Sequence, residues 1–354
     1  MLSSCGLTST TPSRTTPRLN DVLALALETS CDDTGAAVVD SQGRVHSSVI
    51  ESSIDQHRAY GGVVPELAGR AHLVTVQPVV ARALEEAGLD PHHPAIDVVA
   101  ATAGPGLVGS LLIGLSAAKS YALAWDLPFV AVHHLDGHLF APLLETPDVA
   151  WPLLTLLVSG GHSMLVLVEA PGRYRILGET IDDAAGEAYD KVARWLGLAY
   201  PGGPEIDRRA SHGNPAALRL PVSMANEALD FSFSGLKTAV VRASERHPDV
   251  SLDDVAASFQ SAVVEQLMRK VTQALEREGA RSLALAGGVA ANSALRAAML
   301  ALGEDRDVPV YLPSRAMCTD NAAMIGAAGL HRYAESGASP LDTPARPTWE
   351  LVAP

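Results

Sequence analysis

The sequence predicts an α/β protein of two similar lobes that face each other across a cleft. A pattern of strand, polar or Gly-rich turn, strand, second turn and strand occurs over residues 21–50 and again over residues 151–180. A pattern of strand, Gly-rich turn, helix and strand occurs over residues 97–132 and again over residues 281–313. A chain of 354 residues that repeats both patterns in the same order indicates an internal duplication.

The first pattern in each half predicts an antiparallel meander, because apolar runs are interrupted by Gly, Asp or Pro. The second pattern predicts a βαβ unit with parallel strands, because a helix connects them. The polar turns at 28–35 and 159–163 then face each other across the cleft. Together with the Gly-rich turns at 104–106 and 287–288 they offer N–H groups to a phosphate, although any hairpin turn needs Gly or Asp.

Composition predicts a soluble, cytoplasmic protein. No apolar run reaches membrane-spanning length without Gly, Pro or charge, and the three cysteines are too widely spaced for a disulfide framework. The formal net charge of −14 argues against unaided nucleic-acid binding, because phosphate contacts require a basic surface. Residues 1–20, rich in Ser, Thr and Pro and without an acid, are predicted to be a disordered tail.

His134 and His138 stand four residues apart in the stretch HHLDGHLFAP, so a helix would present both rings on one face. This spacing suits a shared metal ion, but isolated histidines near an apolar run are more often hydrogen-bonded core or surface groups. His133 lies outside the pair and is interpreted as structural or as a support for the ligands.

Ten motifs follow one another along the chain: ETSCDDTG (28–35), GGVVPELAGRAH (61–72), ATAGPGLVGSLLIG (101–114), HHLDGH (133–138), LVSGGHS (157–163), DDAAGEAYDKVAR (182–194), YPGGPEID (200–207), DFSFSGLKT (230–238), GGVAANSALR (287–296) and CTDNAAMIG (318–326). In this order they resemble the bacterial TsaD family of tRNA N6-adenosine threonylcarbamoyltransferases. The resemblance runs from about residue 22 to about residue 334. It implies the duplicated actin-like (ASKHA) fold with a central cleft, with lobe I at 21–133 plus 320–345 and lobe II at 134–319.

By this resemblance His134, His138 and Asp320 match the family's metal ligands. Two imidazoles and one carboxylate leave coordination positions open, as a reacting centre requires. We expect one divalent metal per subunit, Fe²⁺ in the first place and Zn²⁺ as the alternative. Asp320 also fits the N-cap of the helix that TDNAAMIGAAGLHR predicts.

The family's carbamoyl-adenylate site matches a second set of positions. They are Leu157, Val158, Ser159, Gly160, Gly161, Asp190, Gly203, Asp207 and Asn292. Gly-rich backbone lets a phosphate or acyl group approach closely, and aspartates suit ribose hydroxyls. Asp190 beside Lys191, and Asp207 beside Arg208, fit solvated charges equally well.

Glu28, Asp32 and Asp33 lie in the first polar turn, where kinases of this fold use acids to hold magnesium or to act on the attacking group. We expect a supporting role in catalysis, although three acids in one turn also fit an exposed loop. Asp33 stands where the family often has Glu, and GRAH stands where many bacterial members read SRDH. No detailed role is therefore assigned to Arg70 or Ala71.

The resemblance implies a metal-dependent acyltransferase that moves a threonylcarbamoyl group from threonylcarbamoyl-AMP to N6 of the adenosine 3′ of the anticodon, in tRNAs that read ANN codons. It also implies two partners, a shorter TsaB-like paralogue of the same fold and a TsaE-like P-loop ATPase. The chain itself contains no P-loop sequence GxxxxGK[ST]. The apolar helix predicted over 109–125 fits docking to the paralogue and burial in its own lobe equally well.

The sequence argues against three other functions. A zinc metalloprotease requires HExxH, whereas Leu135 follows His134 and Asp136 is misplaced for a general base. A small-molecule kinase of the same fold uses magnesium and phosphate, and the histidine pair with Asp320 argues against it. An ATP-dependent binding module would require a peptide-binding domain, for which the chain beyond residue 334 is too short.

Overall fold

The computed structural model describes residues 22–146, 148–222 and 228–351, and the predicted tail at 1–20 lies outside them. The framework of the described residues is a pair of five-stranded sheets. The strands are β1 Leu23–Glu28, β2 Asp33–Asp40, β3 Val45–Ser52, β4 Val98–Gly104, β5 Phe129–His133, β6 Leu153–Val158, β7 Ser163–Ala170, β8 Arg173–Glu179, β9 Ser282–Ala286 and β10 Val310–Tyr311.

The two sheets share one topology. The first has the order β3-β2-β1-β4-β5 and the second the order β10-β9-β6-β7-β8. In each sheet the first three strands form an antiparallel meander, and the two later strands run parallel to its first strand. Strands β1–β5 therefore correspond to β6–β10, which confirms the predicted duplicated α/β architecture.

The helices connect the strands and cover the sheets. They are α1 Ile54–His57, α2 Pro65–Glu86, α3 Val108–Ala124, α4 His134–Glu145, α5 Ala185–Trp195, α6 Gly202–Ala210, α7 Ser234–Arg246, α8 Leu252–Glu278, α9 Ser293–Arg306, α10 Arg315–Cys318 and α11 Ala322–Ser336. None of them combines the length and the apolar composition needed to cross a bilayer. Helices α2, α3 and α11 contact the first sheet, and α8 and α9 contact the second.

Both faces of the first sheet are buried, which explains its nearly continuous apolar strands. In β1, Leu25 and Leu27 join the cluster of buried side chains that includes residues of α2 and α3. Ala24 and Ala26 point to the opposite face, where they pack with residues of α11. Small side chains on this second face allow α11 to lie close to the sheet.

Helix α4 lies between the two sheets and carries both histidines of the predicted pair. Leu135 and Leu139 pack in a cluster with residues of β6 and β7, whereas Phe140 packs in the cluster of α11. Gly137 allows α4 and α11 to approach, because a Cβ there would lie 2.6 Å from Cδ1 of Ile325. This close contact brings the start of α11 next to the histidine-bearing face of α4.

Candidate active site

Three side chains converge where α4 meets the start of α11. His134 and His138 are one helical turn apart on α4, and Asp320 lies just before α11. Oδ1 of Asp320 is 3.5 Å from Nε2 of His134 and 3.3 Å from Nε2 of His138. One potential ligand atom of each residue lies within 4.8 Å of the others. This is the geometry of a small cation site with two nitrogen ligands and one oxygen ligand.

The surroundings of the two rings fit a metal ion. His138 is fully buried, yet neither of its ring nitrogens has a hydrogen-bond partner among the described residues, although Nε2 lies 3.3 Å from Oδ1 of Asp320. Buried polar atoms are rarely left without a partner unless an ion or water serves them. On His134, Nδ1 lies 3.0 Å from Oε2 of Glu28, which leaves Nε2 directed at Asp320.

Electrostatics favour positive charge in this cluster. Burial acts to raise the pKa of Glu28, but the charge and hydrogen bond of His134 outweigh it, and the pKa is lowered. Burial acts to lower the pKa of His134, but Glu28 and Asp320 outweigh it and raise the pKa to about 9. Without a metal, His134 therefore holds a proton between two carboxylates, and a cation in this position would replace that charge.

The three acids of the first half occupy different environments. Glu28 is the last residue of β1 and does not lie in the turn, where the sequence predicted it. Its side chain is fully buried, and Oε1 accepts from the Ser30 N–H and Oε2 from Thr102 Oγ1. Asp33 begins β2, where burial and the nearby carboxylates of Asp32 and Asp320 raise its pKa to about 7. Asp32 lies between them in the turn. Glu28 thus faces His134, whereas the other two acids do not contact it.

The Gly-rich turn between β6 and β7 presents open backbone. Ser159 N–H donates to the carbonyl of His162 at 2.7 Å, and His162 N–H donates to Ser159 Oγ at 3.1 Å. Gly160 and Gly161 are exposed, and a Cβ on either would meet no atom within 4 Å. The side chains of the preceding Leu157 and Val158 are fully buried in the sheet. Only Ser159 to Gly161 therefore offer free surface to a ligand.

A hydrogen-bond network links α6, α8 and the start of α9. Asp207 accepts from Ser293 Oγ at 2.7 Å and from Gln260 Nε2 at 3.1 Å. Asn292 is the N-cap of α9, its Oδ1 accepting from the Leu295 N–H, and its Nδ2 donates to Gln260 Oε1 at 2.7 Å. A cavity of about 540 Å³ adjoins this network. It is lined by Ala210, Pro215, Ala257, Gln260, Ser261, Val264, Glu265, Met268, Ala294 and Ala298.

Asp190 and Asp207 do not pair with the basic residues that follow them in sequence. Lys191 pairs with Asp183 and Glu187, and Arg208 pairs with Glu205. Oδ1 of Asp190 instead accepts from the Gly202 N–H at 2.7 Å, beside Gly203 at the start of α6, and burial raises its pKa.

The two halves meet across this cleft. The guanidinium of Arg194 on α5 donates a hydrogen bond to the carbonyl of Gly61, in the segment between α1 and α2. Burial raises the pKa of the Tyr200 hydroxyl, and Asp32 from the first half and Asp190 from the second half add to this effect. Carboxylates of both halves therefore border the same space.

The sequence profile of the family tRNA N6-adenosine threonylcarbamoyltransferase, TsaD, matches residues 44–327. The protein of that name from Pelobacter propionicus is 51% identical over 335 residues, which cover 93% of this chain and 98% of that protein. The protein of that name from Anaeromyxobacter dehalogenans strain 2CP-C is 51% identical over 92% of this chain and 99% of its own. This chain belongs to the TsaD family.

Solved structures of distant sequence share the fold of this TsaD-family chain. Full-length HypF in a phosphate- and nucleotide-bound form matches with a TM-score of 0.59 at 13% identity, over 90% of this chain and 48% of HypF. Component A of (R)-2-hydroxyglutaryl-CoA dehydratase from Acidaminococcus fermentans matches with a TM-score of 0.52 at 13% identity, over 89% and 100% of the two chains. These matches confirm the predicted actin-like fold.

Membership of the TsaD family implies a divalent metal, and the His134, His138 and Asp320 cluster fits one. The alternative reading of Asp320 as a helix N-cap is wrong. Asn321 has that role, because its side chain accepts from the Met324 N–H.

Two residues at this TsaD-family site were absent from the sequence prediction. Gln260 is a polar residue on the otherwise mainly apolar buried face of α8, and this break in the apolar pattern could have indicated a functional residue. His162 follows Gly161 within the turn at 159–163, and burial together with His134 and His138 lowers its pKa to about 4. Its proximity to the histidine pair depends on how α4 packs against the second sheet.

Proposed function

We propose that this chain is a tRNA N6-adenosine threonylcarbamoyltransferase. It transfers a threonylcarbamoyl group from threonylcarbamoyl-AMP to N6 of the adenosine 3′ of the anticodon, in tRNAs that read ANN codons. The observation that carries the proposal is near full-length identity of 51% to proteins of that name, covering 98% and 99% of their lengths.

The reaction balances without a further reactant. The N6 amine attacks the carbamoyl carbonyl carbon, the bond from that carbon to the phosphate oxygen breaks, and AMP leaves. The nitrogen loses one proton to a base or to the departing phosphate. Because an exocyclic amine is a weak nucleophile, holding both reactants in line supplies much of the acceleration.

His134, His138 and Asp320 are the residues that we assign to the metal. Two histidines and one carboxylate suit Fe²⁺ with open positions, and Zn²⁺ accepts the same ligand types. When bound, the metal supplies Lewis acidity toward the carbamoyl carbonyl or the threonyl group. Glu28 keeps Nδ1 of His134 engaged at 3.0 Å, so that Nε2 is the free ligand atom.

The adenylate is assigned to the second half of the chain. The open backbone of Gly160 and Gly161 suits the phosphate, since no atom lies within 4 Å of a Cβ built on either residue, whereas the Ser159 N–H is already bonded to the His162 carbonyl. Asp190 and Asp207 suit the ribose hydroxyls as acceptors. The cavity beside Asn292 and Gln260 has the volume for a nucleoside, at about 540 Å³.

The partners are tRNA and two proteins, a TsaB-like paralogue and a TsaE-like ATPase, in the cytoplasm where tRNA is found. A net charge of −14 supports the need for a partner in tRNA binding. An apolar patch on α2 and α3 supports a docking site for the paralogue, since Leu73, Val74, Val108 and Leu112 are exposed by 49–73%. Helix α3 also buries Leu111 in its own lobe, so burial and docking use different faces of the same helix in this proposal.

Mass spectrometry of digested tRNA tests this function. The chain is combined with purified partners, threonylcarbamoyl-AMP and an unmodified tRNA, and threonylcarbamoyl-adenosine is quantified. We expect product from the wild type and loss of both product and bound metal in a His134→Ala, His138→Ala double variant. A His92→Ala, His93→Ala double variant is the matched control, because both side chains are exposed and distant in sequence from the cluster.

The outcomes separate the parts of the proposal. Product from both double variants contradicts the metal assignment but leaves the transferase in place. The partners are first shown to be active with a known relative of this chain. If the metal-loaded wild type then forms no product, the result contradicts the transferase and favours a kinase of the same fold.

A further inference from the structure

The described chain beyond α11 runs along the first sheet and, at Leu351, reaches the cluster between the two sheets. We call residues 338–351 the C-terminal segment. Ser339 N–H donates to the carbonyl of Phe129 on edge strand β5 at 2.7 Å. Arg346 N–H donates to the carbonyl of Ala103 at 2.7 Å, at the end of β4. Leu351 is buried in the cluster that contains residues of α4, β6 and β7.

The turn after β4 is shaped to receive this segment. Gly104 has φ +154, and a Cβ there would overlap the carbonyl oxygen of Arg346. Gly106 N–H donates to the carbonyl of Pro347 at 3.2 Å. The glycine residues of this turn are therefore used for close approach of the protein's own backbone.

Trp349 is the residue of the segment that contacts His133, the neighbour in sequence of the ligand histidine His134. Its carbonyl lies 3.1 Å from Nε2 of His133, and the two rings are tilted against each other with centroids 4.9 Å apart. The guanidinium of Arg346 lies 4.8 Å from the centroid of the Trp349 ring. These contacts hold the Trp349 backbone and ring against one histidine.

The His133 ring connects Trp349 to the first turn of α4. It is the N-cap residue, and its Nδ1 accepts from the Leu135 N–H at 3.1 Å. Nδ1 can accept only when the ring proton resides on Nε2, which is the nitrogen that faces the Trp349 carbonyl. One carbonyl oxygen therefore selects the tautomer that caps the helix carrying His134 and His138.

We propose that Trp349 and His133 are positioning residues for the metal ligands, acting together through the N-terminus of α4. The carbonyl of Trp349 orients His133, and His133 anchors the first turn of the helix that presents both ligand histidines. This inference rests on the proposed metal role of His134 and His138. A positioning contact of this kind changes metal affinity about tenfold or more when it is removed.

The test uses the full chain and two measurements. Amide hydrogen exchange at residues 135–138 is followed in metal-free protein, and Co²⁺ alone is then titrated while its visible absorption is recorded. In His133→Ala and in Trp349→Ala we expect faster exchange, about tenfold weaker Co²⁺ binding and an altered Co²⁺ spectrum. His133→Asn retains a capping acceptor, so slow exchange should return.

Leu341→Ala is the matched control, because Leu341 belongs to the same segment, is 47% exposed and precedes Trp349, the residue that contacts His133, by eight positions. We expect it to match the wild type in both measurements. Wild-type exchange and wild-type Co²⁺ affinity in both His133→Ala and Trp349→Ala overturn the proposal.

Two further results keep the inference distinct from its premise. If His133→Ala does not fold, Trp349→Ala and Trp349→Phe are compared, since both keep the carbonyl and only Phe keeps a ring. Slow exchange and Co²⁺ affinity that return in Trp349→Phe support the proposal. Equal defects in the two variants contradict it. A wild type that binds no Co²⁺ contradicts the metal assignment. The exchange comparison in metal-free protein then still decides whether the segment anchors α4.

Discussion

Nδ1 of His134 lies 3.0 Å from Oε2 of Glu28, although the two residues are 106 positions apart in sequence. Glu28 ends the central strand of the first sheet, and His134 begins the helix between the sheets. A buried carboxylate that holds one imidazole nitrogen fixes which nitrogen remains for a metal. The role that we propose for Glu28 is therefore to orient His134 as a ligand, so that the proposed site depends on the strand as much as on the helix.

Glu28→Gln should weaken metal binding about tenfold, because the amide keeps the shape of the side chain but loses the charge that supports His134. Competition against a chelator of known affinity, with Zn²⁺ as the probe, measures the change. Glu51→Gln is the control, since Glu51 is exposed on β3. Equal Zn²⁺ affinity of Glu28→Gln and wild type would show that His134 binds the metal without a carboxylate on its Nδ1.

Asp207→Asn should raise the KM for threonylcarbamoyl-AMP about tenfold with a smaller change in kcat, because hydrogen bonds to a charged acceptor contribute about 1.5–3 kcal/mol. The carboxylate also accepts from Ser293 and Gln260, so the variant disturbs the edge of the cavity that we propose for the nucleoside. Steady-state kinetics with partners present gives both constants. Asp342→Asn, at an exposed position, should leave them unchanged, and a pure loss of kcat in Asp207→Asn would argue against a ribose contact.

Asp33→Asn should stabilise the protein increasingly as pH rises. Burial, with help from Asp32 and Asp320, raises the pKa of Asp33 from its ordinary value of 3.8 to about 7. The folded state thus binds this proton more tightly than the unfolded chain, and wild-type stability falls as pH rises through this interval. Because the side chain is partly exposed, we expect the benefit of Asn to grow by only about 1–2 kcal/mol between pH 5 and pH 8.

Urea denaturation of metal-free protein at both pH values measures this effect. Asp249→Asn serves for comparison, since it removes a carboxylate from an exposed position. A benefit of Asn at position 33 that is independent of pH would contradict the raised pKa.

Gly104→Ala should lower the free energy of unfolding by about 2–3 kcal/mol, because a side chain at this positive φ is strained and its Cβ would overlap the Arg346 carbonyl. Gly109→Ala is the opposite case. Gly109 lies in α3 with no atom within 4 Å of a Cβ, so alanine should stabilise the helix by about 0.5–1 kcal/mol. Thermal and urea unfolding measure the free energy of unfolding of both variants. If Gly104→Ala changes it no more unfavourably than Gly109→Ala, the C-terminal segment does not pack tightly at Gly104.

Local patterns were sufficient for the architecture and for part of the site. The meanders and βαβ units follow from alternation and turn residues, which act over a few positions. His134 and His138 were predictable as a pair because four residues make about one helical turn. Asn292 was predictable as a helix start because Asn is favoured at the N-cap, and its side chain does cap α9.

The sequence by itself determined the duplicated α/β fold, the family and the residue types of the candidate site. Only the tertiary structure decided which distant groups support them. Glu28 meets His134, Gln260 meets Asp207, and Trp349 meets His133 across 106, 53 and 216 positions. The physical reason is that sequence periodicity records which face of an element is buried, whereas the partner on that face depends on how whole sheets and helices pack.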